Sequence, residues 1–259
     1  APVLQQLGHT VSQLPTVLLS NHPGWSHVSG AQVPPQQLSD MIDALEKNGW
    51  LAQTDAILTG YLPSAEHVRL ASELIVRTKA ASSNLHVIVD PVLGDEPKGL
   101  YIAAEAATAL RDELLPLADI LTPNRFELAW LSEMVVEDME SVLLAARKLY
   151  AEHAIGNVCV TSAPAPTGMT GVAEFSLNRM THWVQPRRDG VPNGVGDAFA
   201  AFLAAGLSVG NALGHLTALI DESLHADHLR IAETAPLWST ASSIAPSSTS
   251  AGLEVPDGL

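Results

Sequence analysis

The sequence predicts an α/β fold: a doubly wound, mostly parallel sheet with helices on both faces and an antiparallel hairpin at one edge. Three observations predict it. Short runs rich in Val, Ile and Leu alternate with longer amphipathic segments. Each short run ends in polar or turn residues, the pattern of strands buried on both faces of a parallel sheet. Late in the chain, two runs are separated only by Asn178-Arg179, the spacing of a hairpin.

In chain order, Ala1 to Leu7 reads as a helix, with Val3, Leu4 and Leu7 on one face and Gly8 as its stop. This order of elements implies an upstream strand and loop that precede Ala1. Strands are predicted at Thr16–Ser20, Ala56–Thr59, His86–Val89, Asp119–Leu121 and Val158–Thr161. Helices lie between them: Leu38, Met41, Ile42 and Leu45 share one face, and so do Val68, Ala71, Leu74 and Ile75. Leu143, Ala146, Leu149 and Tyr150 define a third helix. The hairpin is Gly171–Leu177 with Met180–Gln185, followed by helices over Phe199–Leu207 and from Gly210 to about His225. Residues 1–238 form one domain in this reading. Residues 239–259, rich in Ser, Pro, Ala and Gly, are expected to be a flexible or loosely packed tail.

Composition narrows the function. Hydrophobic residues make up 47% of the 259, enough for a sizeable core. A formal net charge of −15 disfavours nucleic acid and anionic membrane as partners. It does not exclude a phosphate ligand, which backbone amides and local arginines can bind. The single cysteine, Cys159, lies in an apolar run and reads as a small buried hydrophobe. A disulfide framework is therefore absent, which suits a reducing cytoplasm. No apolar run is long enough to span a membrane, and no signal peptide is visible.

The most informative stretch is Asn193-Gly194-Val195-Gly196-Asp197, followed by an alanine-rich helical run. Glycines at a helix start let the backbone approach a ligand closely, and the free N–H groups there favour an anion. Asp197 would add a carboxylate beside that anion, an arrangement suited to phosphoryl transfer. A glycine turn with a capping aspartate fits the same residues. There is no Gly-x-x-x-x-Gly-Lys-Ser/Thr, and the glycines come too late for a dinucleotide fingerprint.

Ligands of open α/β sheets gather beyond the carboxyl ends of the strands. Those ends read Ser20-Asn21-His22-Pro23-Gly24, Thr59-Gly60-Tyr61, Asp90-Pro91-Val92-Leu93-Gly94, Thr122-Pro123-Asn124 with Glu127, and Thr161-Ser162. Asn124 and Glu127 have the spacing of a capping box. Asp90 and Glu127 together could hold Mg²⁺, directly or through water. Asp90-Pro91 could equally be a strand-ending turn, and His22 and Tyr61 could simply fill the sheet edge. The remaining histidines, His182 among them, lack metal-ligand spacing and read as structural.

Taken in order, these elements resemble the ribokinase superfamily, and within it the pyridoxal kinases. The resemblance is carried by Ser20-Asn21-His22, Thr59-Gly60-Tyr61-Leu62 with Ser64-Ala65-Glu66, Asp90 to Gly94, Thr122 to Glu127, and Gly194 to Asp197. It implies ATP-dependent phosphorylation of the 5′-hydroxyl of pyridoxal, and of pyridoxine and pyridoxamine. By resemblance, Asp197 is the base, and the amides of Gly194, Val195 and Gly196 form the anion hole. Asp90 and Glu127 organise Mg·ATP, with a monovalent cation as a further candidate. Thr122, Asn124 and Thr161 line the ATP site, and Arg187 or Arg188 reaches its phosphates. Ser20, His22 and Tyr61 wall the pyridoxal pocket, and the resemblance implies a homodimer. The sequence departs from that family at Pro23, which has no side-chain donor, and at Thr161, where some relatives carry lysine. Other readings are a kinase for another small alcohol, such as a hydroxymethylpyrimidine or a sugar, and a non-catalytic B6- or nucleotide-binding protein of the same fold.

Overall fold

The structure is a computed structural model that describes residues 1–177 and 179–251. A short helix α1 (Pro2–Gln6) opens the chain. A hairpin follows, β1 (Val17–Leu19) against β2 (Gly30–Gln32), and then helix α2 (Pro35–Lys47). The alternating part comprises β3 (Ala56–Thr59), α3 (Ala65–Ala81), β4 (His86–Val89), a small hairpin of β5 (Gly94–Asp95) and β6 (Gly99–Leu100), and α4 (Ala104–Ala109). It continues through β7 (Ile120–Leu121), α5 (Arg125–Ser132), α6 (Met139–His153) and β8 (Asn157–Ala163). The long hairpin is β9 (Met169–Ser176) with β10 (Arg179–Pro186). Helices α7 (Val195–Ala204), α8 (Val209–Asp221) and α9 (Ala235–Trp238) come next, and β11 (Ser248–Ala251) is the last element described.

One sheet runs β11-β10-β9-β8-β7-β4-β3. Strands β3, β4, β7 and β8 are parallel, and β9, β10 and β11 are added antiparallel. Because successive side chains point to opposite faces, each strand feeds two cores. Val158 and Val160 of β8 pack under α3 to α6, whereas Cys159 between them packs under α7 and α8. Phe175 and Trp183 divide in the same way on β9 and β10. Helices therefore cover both faces, as the alternating pattern predicts. The expected strands at 56–59 and 86–89 coincide with β3 and β4, and Cys159 is buried as expected. Residue 178, at the turn of the expected hairpin, lies outside the described residues. Among the described residues no helix is long and apolar enough to cross a membrane.

Two expectations need correction. The run at 16–20 is not a buried strand of the parallel sheet; it forms the separate hairpin β1–β2, with Leu18 62% exposed. Its apolar composition is that of a core strand, but its partner, Gly30-Ala31-Gln32, carries no strand signal. The segment from Ser239 is not loose over its described length to 251. The indole N–H of Trp183 donates to Ile244 O at 3.0 Å, the Ile244 N–H donates to Gly210 O at 2.9 Å, and β11 pairs with β10. Gly210 and Gly214, one turn apart on α8, make room for this: a Cβ on Gly214 would lie 2.1 Å from Ser242 O. Residues 252–259 of the expected tail lie outside the described residues.

Candidate functional site

The carboxyl ends of β4, β7 and β8 bring Asp90, Thr122 and Thr161 to one edge of the sheet. Asp90 is 8% exposed, and its carboxylate accepts a hydrogen bond from the Thr122 hydroxyl at 3.1 Å. Burial pushes its pKa well above the usual carboxylate range; the negative charges of Glu127 and Asp197 add to this, and the Thr122 hydrogen bond opposes it.

Glu127 sits in the first turn of α5 and is almost fully buried. The capping box expected from the sequence is present: the Asn124 side chain accepts from Glu127 N–H at 2.9 Å, and Glu127 Oε2 accepts from Asn124 N–H at 2.8 Å. The structure adds a second task. Glu127 Oε1 accepts the backbone N–H groups of Leu93 at 2.8 Å and Gly94 at 3.4 Å, while Asn124 Nδ2 donates to Gly94 O at 2.8 Å. Both carboxylate oxygens are thus engaged by backbone, so Glu127 fixes the loop after β4. Burial raises its pKa against these hydrogen bonds.

Thr161 bridges Asn124 in parallel register, and its N–H donates to Pro123 O at 2.8 Å. A bulge follows at once, with Ser162 at φ 53°. Bulges re-aim side chains at strand ends, and this one ends the regular pairing at the site's edge.

The glycine motif opens α7, which packs on β3 and β4. Gly194 is the N-cap with φ 96°, a left-handed conformation that disfavours any side chain. Among the described residues no N-cap side chain caps α7, so the first-turn N–H groups of Val195 and Gly196 lack the usual capping partner, and the space beside Gly196 is open. Asp197 is exposed at the mouth of the site yet hemmed in by protein, and this partial desolvation raises its pKa, while the imidazole of His22 opposes the rise.

His22 lies in the β1–β2 loop, close enough for its imidazole to act on the Asp197 carboxylate electrostatically. Its Nδ1 accepts Gly24 N–H at 3.0 Å, and a Cβ placed on Gly24 would lie 3.4 Å from Asn193 Nδ2, so the loop tip rests against the glycine motif. Asn21 organises the loop by donating to His22 O and His27 O. The Ser20 hydroxyl accepts from Ser29 N–H at 3.0 Å and donates to Asn21 Oδ1, so it serves the hairpin itself. Tyr61 follows β3, half-buried against the core, and its carbonyl accepts the Thr16 hydroxyl at 2.7 Å.

The two arginine candidates separate. Arg188 is held by Asp221, with Nη2 to Oδ2 at 3.0 Å and Nε to Oδ1, and also donates to Pro186 O. Arg187 is exposed, with its backbone N–H bonded to Gly168 O. Two further groups carry no strong signal in the sequence. Asp95 Oδ1, next to Glu127, and Thr59 Oγ1 at the end of β3 are buried with no hydrogen-bond partner among the described residues. The second carboxylate of Asp90-Pro91-Val92-Leu93-Gly94-Asp95, five residues after the first, was the available clue for Asp95.

The sequence pattern of the phosphomethylpyrimidine kinase family matches residues 5–220. A pyridoxine/pyridoxal/pyridoxamine kinase of Bordetella avium is 37% identical over 216 residues, covering 82% of this chain and 73% of that protein. A pyridoxal kinase of Corynebacterium diphtheriae is 33% identical over 201 residues, covering 76% and 71%. Among solved structures, pyridoxal kinase from Leishmania donovani in complex with ADP and pyridoxamine superposes with a TM-score of 0.86 at 28% identity, over 94% of this chain and 90% of that one. The chain belongs to the phosphomethylpyrimidine kinase family and, within that family, to the pyridoxal kinases of the ribokinase superfamily.

Proposed function

We propose that this protein transfers the γ-phosphoryl group of ATP to the 5′-hydroxyl of pyridoxal, and of pyridoxine and pyridoxamine, giving the 5′-phosphates. The observation that carries this reading is the placement of Asp197 at the start of α7, which packs on β3 and β4 and whose glycine motif meets the tip of the His22 loop. Asp197 accepts the proton of the vitamer hydroxyl as the oxygen attacks phosphorus. The amides of Gly194, Val195 and Gly196 hold the oxygens of the phosphoryl group in flight, where charge is spread over them. His22 and Tyr61 wall the vitamer pocket, while Thr122, Asn124 and Thr161 border the nucleotide. Arg187, rather than Arg188, is the cation available to ATP phosphates, since Asp221 occupies Arg188.

Asp90, a buried carboxylate with raised proton affinity, would meet Mg²⁺ with the field of Glu127 behind it; among the described residues no group of three or more His, Cys, Asp or Glu could hold a metal by itself, so substrate phosphates would complete the coordination. Mg²⁺ is commonly held by one or two carboxylates plus substrate phosphates, without a full protein cage. Bound there, it would neutralise charge on the ATP phosphates. A buried lone cysteine accords with action in a reducing cytoplasm, and family resemblance supports a homodimer.

The test is direct. Protein is incubated with ATP, Mg²⁺ and each B6 vitamer, and 5′-phosphate products are measured beside hydroxymethylpyrimidine and sugar controls. Pyridoxal 5′-phosphate is the expected product. Phosphorylation of only the control alcohols would replace the substrate assignment, and no product from folded protein would favour a binding role.

A further inference from the structure

We propose that His67 is a positioning residue that fastens the β1–β2 hairpin, and with it the His22 loop, to the segment that carries Tyr61. The proposal rests on the reading of these residues as walls of the vitamer pocket. His67 lies in the first turn of α3 and is 3% exposed. Its Nε2 is 2.9 Å from Val33 O and its Nδ1 is 2.8 Å from Ser64 Oγ. A carbonyl can only accept, so Nε2 carries a proton and donates to Val33 O, while Nδ1 pairs with the Ser64 hydroxyl. Ser64 is in turn the N-cap of α3.

Val33 is the residue that leaves β2. Its N–H donates to Thr16 O at 2.9 Å, and the Thr16 hydroxyl donates to Tyr61 O at 2.7 Å. Both arms of the hairpin are thus tied at the root to the stretch from Tyr61 to His67. Beyond the root the hairpin has little support: β2 is exposed throughout, and among the described residues β1 and β2 pair only with each other. A lone two-stranded hairpin is marginal in water. Where its tip stands relative to Asp197 is therefore decided by the root, and His67 is the buried side chain that joins its outgoing arm to α3.

The test compares H67A, H67Q (whose amide can still donate to Val33 O) and T16V by hydrogen exchange and by steady-state kinetics. In H67A, the amides of residues 17–32 are expected to exchange about tenfold faster, and KM for pyridoxal to rise about tenfold, the scale of one lost buried hydrogen bond. KM for ATP and kcat should stay within about twofold of the parent values. H67Q should restore most of both effects. T16V, a nearly isosteric change, should loosen the same segment and serves if H67A does not fold. Unchanged exchange at 17–32, equal rises in both KM values, or no rescue by H67Q would each overturn the proposal. A parent protein inactive on pyridoxal would overturn the functional reading, while the exchange comparison would still decide the role of His67.

Discussion

Glu127 and Asn124 cap each other across three residues, and the same carboxylate reaches back to hold the N–H groups of Leu93 and Gly94. One side chain thereby fixes the start of α5 and the loop after β4, the loop that begins with Asp90. E127Q keeps one acceptor oxygen and loses the other, leaving buried N–H groups unpaired. It should lower the unfolding free energy by about 1–3 kcal/mol in urea titration.

Asp197 is the base in the proposed transfer. D197A should reduce kcat by about 10²–10⁴-fold, the range for loss of a general base, with ATP affinity by calorimetry nearly unchanged. Turnover near the parent level would remove Asp197 from the base role.

The pH profile carries the same information. Desolvation raises the Asp197 pKa above the ordinary 3.8. The base works only when ionised, so activity is lost as pH falls through the raised value. The acid limb of kcat/KM should therefore lie above pH 3.8. H22A removes the opposing imidazole and should shift that limb further toward neutrality.

Asp90 is a cost to the empty protein. Its folded pKa lies above its unfolded one, so its contribution to stability is greatest at low pH and declines as pH rises from the unfolded toward the folded value. Without Mg²⁺ and nucleotide, D90N removes the buried ionisable carboxyl and keeps an acceptor for Thr122. Its melting temperature should gain on the parent's as pH rises, because the parent loses stability on ionising Asp90 and D90N does not, while turnover collapses. Mg·ATP should stabilise the parent protein and not D90N.

The neighbouring arginines should behave differently. R187A should raise KM for ATP about tenfold, as for loss of one charge-assisted hydrogen bond. R188A releases Asp221 and should lower stability by about 0.5–1 kcal/mol with little change in KM for ATP. The reverse outcome would exchange their roles.

Much of the fold was legible because periodicity reports burial. Ala56–Thr59 and His86–Val89 are nearly continuous apolar runs, as strands feeding two cores must be, and Asn124 with Glu127 advertised a helix start through local spacing alone. The run at 16–20 misled because composition records apolarity and does not record the partner. Gly30–Gln32, which pairs with it, has no strand pattern, and β5 and β6 are too short to show one. The packing of the segment after Ser239 was hidden for a related reason: it depends on room beside Gly210 and Gly214, far away in sequence.

The sequence by itself determined the α/β order, the glycine motif at a helix start and the carboxylates at strand ends, because each is a local pattern of burial, capping or backbone freedom. Only the tertiary structure decided which groups face one another. It set His22 against Asp197, gave Glu127 its second set of backbone partners, bound Arg188 to Asp221, and left Asp95 with an unpaired buried oxygen. Those outcomes depend on distances between residues remote along the chain, which strand register and helix packing fix and local pattern does not encode.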